Sequence, residues 1–198
     1  MTTYSLSGPD NDSNMCGSAD RLFDDVGGIP VCPVCGYKTD LYFVNPSFRV
    51  KRRVYDLSST YDGYNIASLK FKEACQRLKL KGVEFLPLPS DPEFFVIKPM
   101  VLTPFDSVSR KTKLEYLCAA CGFYKAVAGA TPAFLLSEPE SDISGTDIVF
   151  GSGNSRGRVL ITTEHAKHML VTEKLTGLYF KETMHNNSLK PTPRSGAA

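Results

Sequence analysis

The amino-acid sequence predicts an α+β fold in which two related halves each contain a helix followed by a strand. Three observations support this prediction: short strand-like runs divided by Pro, Gly, Asn and Asp, two helical segments that resemble each other, and two cysteine motifs of the same design. Each cysteine motif precedes one of the helical segments. The order of the elements is therefore itself repeated.

The chain of 198 residues, 42% of them hydrophobic, is long enough to bury a core of ordinary size. We expect residues 1–28 to form a flexible N-terminal lead, because Ser, Asp, Asn and Gly predominate there. Residues 29–185 are predicted to form one domain, with pseudo-repeats at about 29–100 and 101–185. Residues 186–198, rich in Pro, Ser and Asn, are expected to be a disordered tail.

Strands are predicted where β-branched and aromatic residues cluster between turn-forming residues. Five runs meet this description: Leu41–Val44, Phe48–Tyr55, Phe94–Ile97, Glu115–Leu117 and Asp147–Phe150.

The first helical segment lies within residues 66–85. Its apolar residues Phe71, Ala74, Cys75 and Leu78 follow the spacing of one helix face. The stripe predicts that Cys75 is a small buried hydrophobic residue. A hydroxyl-bearing Ser68 can cap the start of this helix, and a glycine at position 82 can end it.

The second helical segment, residues 161–180, repeats this pattern without a gap. Thr163 stands in the place of the capping serine, and Gly177 in the place of the terminating glycine. An internal duplication is one explanation of the match, which Glu173 breaks because it stands opposite Leu78. The alternative is that any two capped amphipathic helices followed by a strand share these features, since the same physics selects both.

The two cysteine motifs predict one metal site. Cys32-Pro-Val-Cys35-Gly and Cys118-Ala-Ala-Cys121-Gly each place two thiols on a tight turn, and the glycine after each pair can turn the backbone away. Four thiolates suit a structural zinc ion, because zinc accepts a tetrahedral sulfur site and a four-cysteine site leaves no position open for substrate. We therefore expect a zinc-ribbon-like site that joins the two halves.

A thioredoxin-like redox motif is the alternative for a single Cys-x-x-Cys pair, but that motif stands at the start of a helix. Here each pair is followed by residues typical of a hairpin strand. The long separation between the pairs means that the metal would close a large loop and contribute much of the folding free energy. Cys16 has no partner pattern, and we expect an exposed thiol there.

Two charged segments are candidate contact sites. Arg49, Lys51 and Arg53 alternate on a predicted strand, so they could contact nucleic-acid phosphates, or they could form a charged edge that discourages aggregation. An acidic loop could steer a basic partner, although a solvated loop is the simpler interpretation. Its carboxylates are Glu138, Glu140, Asp142 and Asp147.

The paired CPVCG and CAACG motifs, together with the two L-x-G-x-x-F endings at Leu80–Phe85 and Leu175–Phe180, resemble the bacterial double-CXXCG motif family. The resemblance runs from Cys32 to about Phe180. It implies an immunity protein of a polymorphic toxin system, which binds a cognate toxin made by the same cell and blocks it. Among the site residues, the resemblance extends only to the four cysteines.

No sequence motif of a known enzyme active site occurs, so the sequence favours a binding protein over an enzyme. A zinc-ribbon nucleic-acid-binding protein is the alternative, but the net charge of +2 is far from the dense positive field that such binding usually needs. We expect no secretory signal and no membrane contact, and hence a cytoplasmic location.

Overall fold

The computed structural model describes residues 2–185, which form a mixed α+β fold with two helices. In chain order the elements are β1 (Thr3–Ser7), β2 (Leu57–Ser59), β3 (Asn65–Ser68), α1 (Leu69–Arg77), β4 (Val83–Pro87), β5 (Phe94–Pro99), β6 (Leu102–Thr103), β7 (Lys113–Leu117), β8 (Tyr124–Ala128), β9 (Phe134–Leu135), β10 (Ile143–Thr146), β11 (Phe150–Ser152), β12 (Ser155–Gly157), β13 (Leu160–Thr163), α2 (Glu164–Thr172), β14 (Tyr179–Glu182) and β15 (Met184–His185).

Two sheets carry the helices and have matching strand orders. The first runs β2-β3-β5-β4, and the second runs β14-β1-β13-β10-β6. In each sheet, the strand before the helix and the strand after it are separated by one antiparallel strand: β5 lies between β3 and β4, and β1 lies between β13 and β14. The N-terminal strand β1 is therefore an interior strand of the sheet that holds α2.

Two smaller sheets complete the fold. A four-stranded sheet of order β12-β11-β8-β7 contains the second cysteine motif in the turn between β7 and β8. Strands β9 and β15 form a parallel pair.

The helix α1 begins because Ser68 has extended backbone angles and its hydroxyl accepts a hydrogen bond from the backbone N–H of Phe71. The helix buries Phe71, Ala74 and Cys75, three of the four residues of the predicted stripe. It ends where Lys79 and Gly82 both adopt positive φ angles. The prediction that Cys75 is buried is confirmed, since 1% of its surface is exposed.

The helix α2 has the same local geometry. The hydroxyl of Thr163 accepts from the N–H of Ala166, and the helix buries Ala166 and Leu170. It ends at the corresponding positive-φ positions, Lys174 and Gly177. Both terminating glycines are required by close approach as well, because a Cβ at Gly82 would lie 2.0 Å from the carbonyl oxygen of Ile143, and a Cβ at Gly177 would lie 2.3 Å from that of Leu57.

Asp56 connects the two large sheets. Its carbonyl oxygen accepts from the N–H of Ser68 in the first sheet. Its carboxylate accepts from the hydroxyl of Ser68 at 2.7 Å and from the N–H of Thr176, in the turn between α2 and β14, at 2.8 Å.

Asp142 makes the reciprocal connection. Its carbonyl oxygen accepts from the N–H of Thr163, and its carboxylate accepts at 2.9 Å from the N–H of Lys81 in the turn between α1 and β4. Each sheet thus supplies an aspartate that supports its own helix start and binds the turn after the helix of the other sheet.

One core cluster joins these two sheets and both helices. Its buried members come from the two sheets and the two helices alike: Leu6, Leu57, Ala67, Phe71, Cys75, Ile97, Ile143, Leu160 and Leu170. Since β1, β2, β5, β10 and both helices share one cluster, the two sheets form a single hydrophobic unit.

Residues 2–28 do not form a flexible lead, and this prediction is wrong. The segment supplies β1, buries Leu6 and Met15 completely or almost so, and fully buries Cys16, which was expected to be exposed. The carboxylate of Asp62 accepts from the backbone N–H groups of Met15 and Cys16, which fixes this polar segment. Residues 186–198, the predicted tail, lie outside the described residues.

The strand predictions are confirmed in part. The runs at Phe94–Ile97 and Glu115–Leu117 lie in β5 and β7. The runs at Leu41–Val44 and Phe48–Tyr55 are irregular, and most of Asp147–Phe150 lies before β11. Their alternating residues reflect packing of an extended loop, since Phe48 and Val50 belong to a second buried cluster.

Within residues 2–185, neither helix has the length and apolar character needed to cross a membrane.

We predict that Asp56→Asn lowers the free energy of unfolding by about 1–3 kcal/mol, because a neutral amide replaces a buried carboxylate that accepts several hydrogen bonds. Burial alone would raise the pKa of Asp56, but the hydrogen bonds from Thr176 and Ser68 outweigh it and lower the pKa below its ordinary value. The stabilisation is therefore complete above about pH 4 and is lost as the pH falls through the lowered pKa. Urea unfolding between pH 2 and pH 7 measures both effects.

The matched control is Asp142→Asn, which removes a carboxylate that accepts a single N–H from the opposite turn. We expect a smaller loss than for Asp56→Asn. Equal stability of wild type and Asp56→Asn at pH 7 would contradict the role of Asp56 as a connector.

Candidate metal centre

The four predicted cysteines lie together although the two motifs are 86 residues apart. The Sγ atoms of Cys32 and Cys118 are 3.8 Å apart, as are those of Cys35 and Cys121. All four sulfur atoms lie within 4.8 Å of one another. Each of these two pairs joins one motif to the other, at the same position of the motif.

Both motifs form the same tight turn. In the first, the N–H of Gly36 donates to the carbonyl oxygen of Cys32, and the N–H of Cys32 donates to that of Tyr37. In the second, Gly122, Cys118 and Phe123 repeat these two bonds. Both glycines have positive φ, at 76° and 73°, so the predicted need for glycine after each pair is met by the backbone.

The first thiol of each pair is prepared to ionise. The backbone N–H groups of Cys35 and Val34 lower the pKa of the Cys32 thiol to about 6. The N–H groups of Cys121 and Ala120 lower the pKa of Cys118 in the same way. Backbone N–H groups that point at sulfur stabilise a thiolate, which is the form that binds metal.

The thiol of Cys121 behaves differently. The N–H of Phe123 lowers its pKa, but burial and the neighbouring thiols outweigh this effect and raise the pKa to about 11. A cluster of thiols at this spacing cannot all ionise unless a cation joins them.

The geometry fits a tetrahedral metal ion. A zinc–sulfur distance of about 2.3 Å gives tetrahedral edges of about 3.8 Å, which is the separation of the sulfur atoms in both pairs that join the motifs. Disulfides require sulfur atoms about 2.05 Å apart, and all six cysteines are free thiols. The chain therefore holds a four-cysteine cluster with the spacing of a metal site.

Two buried cations lie on segments that contact each other beside the cysteine turns, and no sequence pattern indicates either of them. Lys38, which follows the first motif, is fully buried, and its ammonium lies 4.1 Å from the ring centre of Tyr64. Arg156, on β12, is 2% exposed. Burial lowers the pKa of both side chains. A lysine and an arginine among ordinary loop residues carry no pattern that indicates burial, so only the folded chain reveals them.

The basic residues proposed for nucleic-acid contact do not form a free row. Arg53 donates to the carboxylate of Asp91 at 2.6 and 2.7 Å and to Glu93 at 2.6 Å. Arg49 and Lys51 are exposed on an irregular segment rather than on a strand. Two of the three cations are therefore presented to solvent, and the third is held in an ion-pair network.

The acidic residues also divide into two groups. The carboxylate of Asp142 accepts from the N–H of Lys81, and that of Asp147 accepts from the N–H of Phe105 at 2.9 Å. Between them, β10 is fully buried, so residues 138–147 are not one loop. Glu138 and Glu140 are exposed. Of the four acidic residues predicted as contacts, Glu138 and Glu140 therefore remain candidates, whereas the carboxylates of Asp142 and Asp147 bind the backbone of this chain.

Comparison with protein-family models finds no model that matches the chain, and comparison with curated proteins finds no match. The resemblance to the double-CXXCG family therefore rests on the cysteine motifs and the segments around them.

We predict that the purified protein binds one zinc ion per chain and that Cys118→Ser removes most of it, because three thiolates and a hydroxyl form a much weaker site. Chelation should lower the melting temperature, since a ligand at 100 times its dissociation constant stabilises the folded state by about 2.7 kcal/mol. Elemental analysis and thermal unfolding with and without chelator provide the measurements.

Cys75→Ala is the matched control, because Cys75 is a buried thiol outside the cluster. It should keep its zinc even where it loses stability. Wild-type protein that is purified without metal and takes up none on titration would rule out the site.

Proposed function

We propose that the chain is an immunity protein that binds a cognate bacterial toxin and blocks it by covering its surface, and that a structural zinc ion holds the protein in its binding form. The observation that carries the proposal is the four-cysteine cluster. Four sulfur ligands fill a tetrahedral zinc ion, so the ion has no open position for a substrate and acts by joining parts of the chain.

The paired CxxCG turns support the resemblance to the double-CXXCG family, and the proposed immunity function depends on that resemblance. Their hydrogen bonds, their positive-φ glycines and their sulfur positions match one for one. A protein that must bind one partner tightly gains from a rigid framework, because less conformational entropy is then lost on association. A metal that joins distant segments supplies such rigidity.

We further propose that the fold consists of two related halves, each beginning with a strand that lies in the sheet of the other. In this account β1 corresponds to β5, the two cysteine turns correspond, and β3-α1-β4 corresponds to β13-α2-β14. The equivalent helix caps and terminating glycines support it, as do the reciprocal bonds of Asp56 and Asp142. The boundary between the halves then falls near residue 93, earlier than the residue 100 inferred from sequence.

Glu138 and Glu140 are the proposed contact residues for the toxin, since their carboxylates are exposed on the connection between β9 and β10. Exposed carboxylates can steer a partner with a basic surface and select it by charge complementarity. Proteins that act on nucleic acid carry basic surfaces, and a basic surface is the kind that these residues fit.

The first prediction of this proposal concerns rescue. Co-expression of the chain should relieve the lethality of the toxin encoded next to its gene, and Cys118→Ser should abolish the rescue.

The double change Glu138→Lys and Glu140→Lys should weaken binding about tenfold or more through charge repulsion while leaving the fold intact. Cell survival and calorimetric titration against the isolated toxin measure these effects.

Glu115→Lys serves as the control, because Glu115 is an exposed glutamate on β7, away from the proposed contact. The zinc-ribbon nucleic-acid alternative predicts instead a salt-dependent binding of single strands that falls on substitution of Arg49 and Lys51. Such binding without any rescue would replace the immunity proposal.

The proposed exchange of β1 and β5 between the two sheets predicts how fragments of the chain behave. Fragments 1–92 and 93–198 should each be unfolded or aggregated alone, because each lacks an interior strand of its own sheet. When co-expressed, they should copurify as one complex, and chelation should weaken the complex because the metal ligands are divided between the fragments. Copurification and circular dichroism test this.

A monomeric, cooperatively folded fragment 1–92 on its own would contradict the exchange. A complex that forms equally well with and without chelator would show that the metal does not join the fragments.

A further inference from the structure

Arg156 is an unusual residue for its place in the fold. It lies on the hairpin of β11 and β12, which is inserted between β10 and β13. The corresponding connection between β2 and β3 spans only residues 60–64. Arg156 therefore lies on a hairpin that has no counterpart between β2 and β3. Its side chain is nevertheless buried, and it contacts the two cysteine turns, which have the same design.

The guanidinium of Arg156 bridges the two cysteine turns. Its Nη2 donates to the carbonyl oxygen of Lys38 at 2.7 Å, and its Nη1 donates to that of Tyr124 at 3.4 Å. Lys38 and Tyr124 occupy the same position in their motifs, the third residue after the second cysteine. A single planar group with several donors thus makes equivalent contacts to both turns.

Aromatic rings continue this arrangement. The guanidinium carbon lies 4.7 Å from the ring centre of Phe123 and 5.7 Å from that of Tyr37. These two residues again hold the same position, the second after the last cysteine of each motif. Stacking on aromatic faces orients the guanidinium but supplies only part of the energy that a buried cation needs.

The charge of Arg156 has no carboxylate partner. Among residues 2–185, no salt bridge joins Arg156 to an Asp or Glu, and its buried Nε has no hydrogen-bond partner. A buried cation with neutral partners alone is strongly unfavourable. The two carbonyl oxygens that Arg156 contacts belong to residues three positions after Cys35 and Cys121, so the guanidinium lies beside the turns that hold the thiols.

We propose that Arg156 is the counter-ion of the metal–thiolate centre and the clamp that sets the distance between the two cysteine turns. A zinc ion with four thiolates is formally dianionic, and a buried cation beside it offsets part of that charge. The arginine would in turn be stabilised by the loaded centre. This inference rests on the proposed metal site, and it assigns Arg156 a positioning role outside the set of ligands.

The test compares zinc affinity in wild type, Arg156→Met and Arg156→Lys by competition with a chromophoric chelator. Arg156→Met removes both the charge and the bridge, and should raise the dissociation constant for zinc about 10–100-fold, as loss of an outer-shell partner does at other metal sites. Arg156→Lys keeps the charge but cannot reach both carbonyl oxygens as a planar fork does, so its loss should be smaller.

Arg158→Met is the matched control. Arg158 lies two residues further along the same connection, and its guanidinium donates to the carbonyl oxygens of Thr146 at 2.6 Å and Asp147 at 2.5 Å. It should leave the dissociation constant for zinc unchanged even if it lowers stability. Where a variant without metal does not fold, zinc-driven folding followed by circular dichroism gives the same comparison of affinities.

Urea unfolding distinguishes a role of Arg156 as a counter-ion from a role in packing alone. If Arg156 responds to the charge of the centre, Arg156→Met should destabilise the zinc-loaded protein more than the metal-free protein. Equal destabilisation of both forms with an unchanged zinc affinity would overturn the inference while leaving the metal site in place. If wild type itself binds no zinc, the metal proposal fails first, and the role given to Arg156 fails with it.

Discussion

The convergence of four sulfur atoms is the constraint on which the rest of the structure depends. Cys32 and Cys35 lie before the first helix-bearing sheet in sequence, and Cys118 and Cys121 lie between that sheet and the second helix, yet all four sulfur atoms fit within 4.8 Å. Closing so long a loop carries an entropic cost that grows slowly with its length. A metal ion bound by the four thiolates would offset that cost in a single step, because structural zinc sites contribute on the order of 10 kcal/mol or more in small domains.

The same convergence explains why an arginine is buried near the cysteines. Arg156 would be costly in an ordinary core, and no salt bridge among residues 2–185 pairs it with a carboxylate. Beside thiolates, the balance changes, because opposite charges in a medium of low dielectric attract strongly. The backbone N–H groups that lower the pKa of Cys32 and Cys118 act in the same direction. The cysteine turns and the buried arginine thus both favour the ionised form of the thiols.

The sequence predicted those parts of the fold that depend on local patterns. The caps at Ser68 and Thr163, the burial of Cys75 and the cysteine cluster all follow from spacing that a short segment reveals. The N-terminal segment was misjudged because its polar residues resemble those of a flexible segment. In the fold, the carboxylate of Asp62 and the partners of β1 satisfy its backbone. Long-range pairing of this kind leaves no periodicity in the sequence.

Arg156 and Asp56 show a second limit of local patterns. In the sequence, Asp56 is simply a polar residue before a strand. Its carboxylate joins the two sheets because the turn after α2 lies beside it in the fold. Its counterpart, Asp142, was assigned to an acidic contact loop for the same reason, since a carboxylate that binds a distant N–H looks like a solvated one in sequence. Residues that join distant segments are visible only when both segments are placed. In this chain the hydrogen bonds of Asp56 and Asp142 relate the two sheets to each other more clearly than the amino-acid sequence around them does.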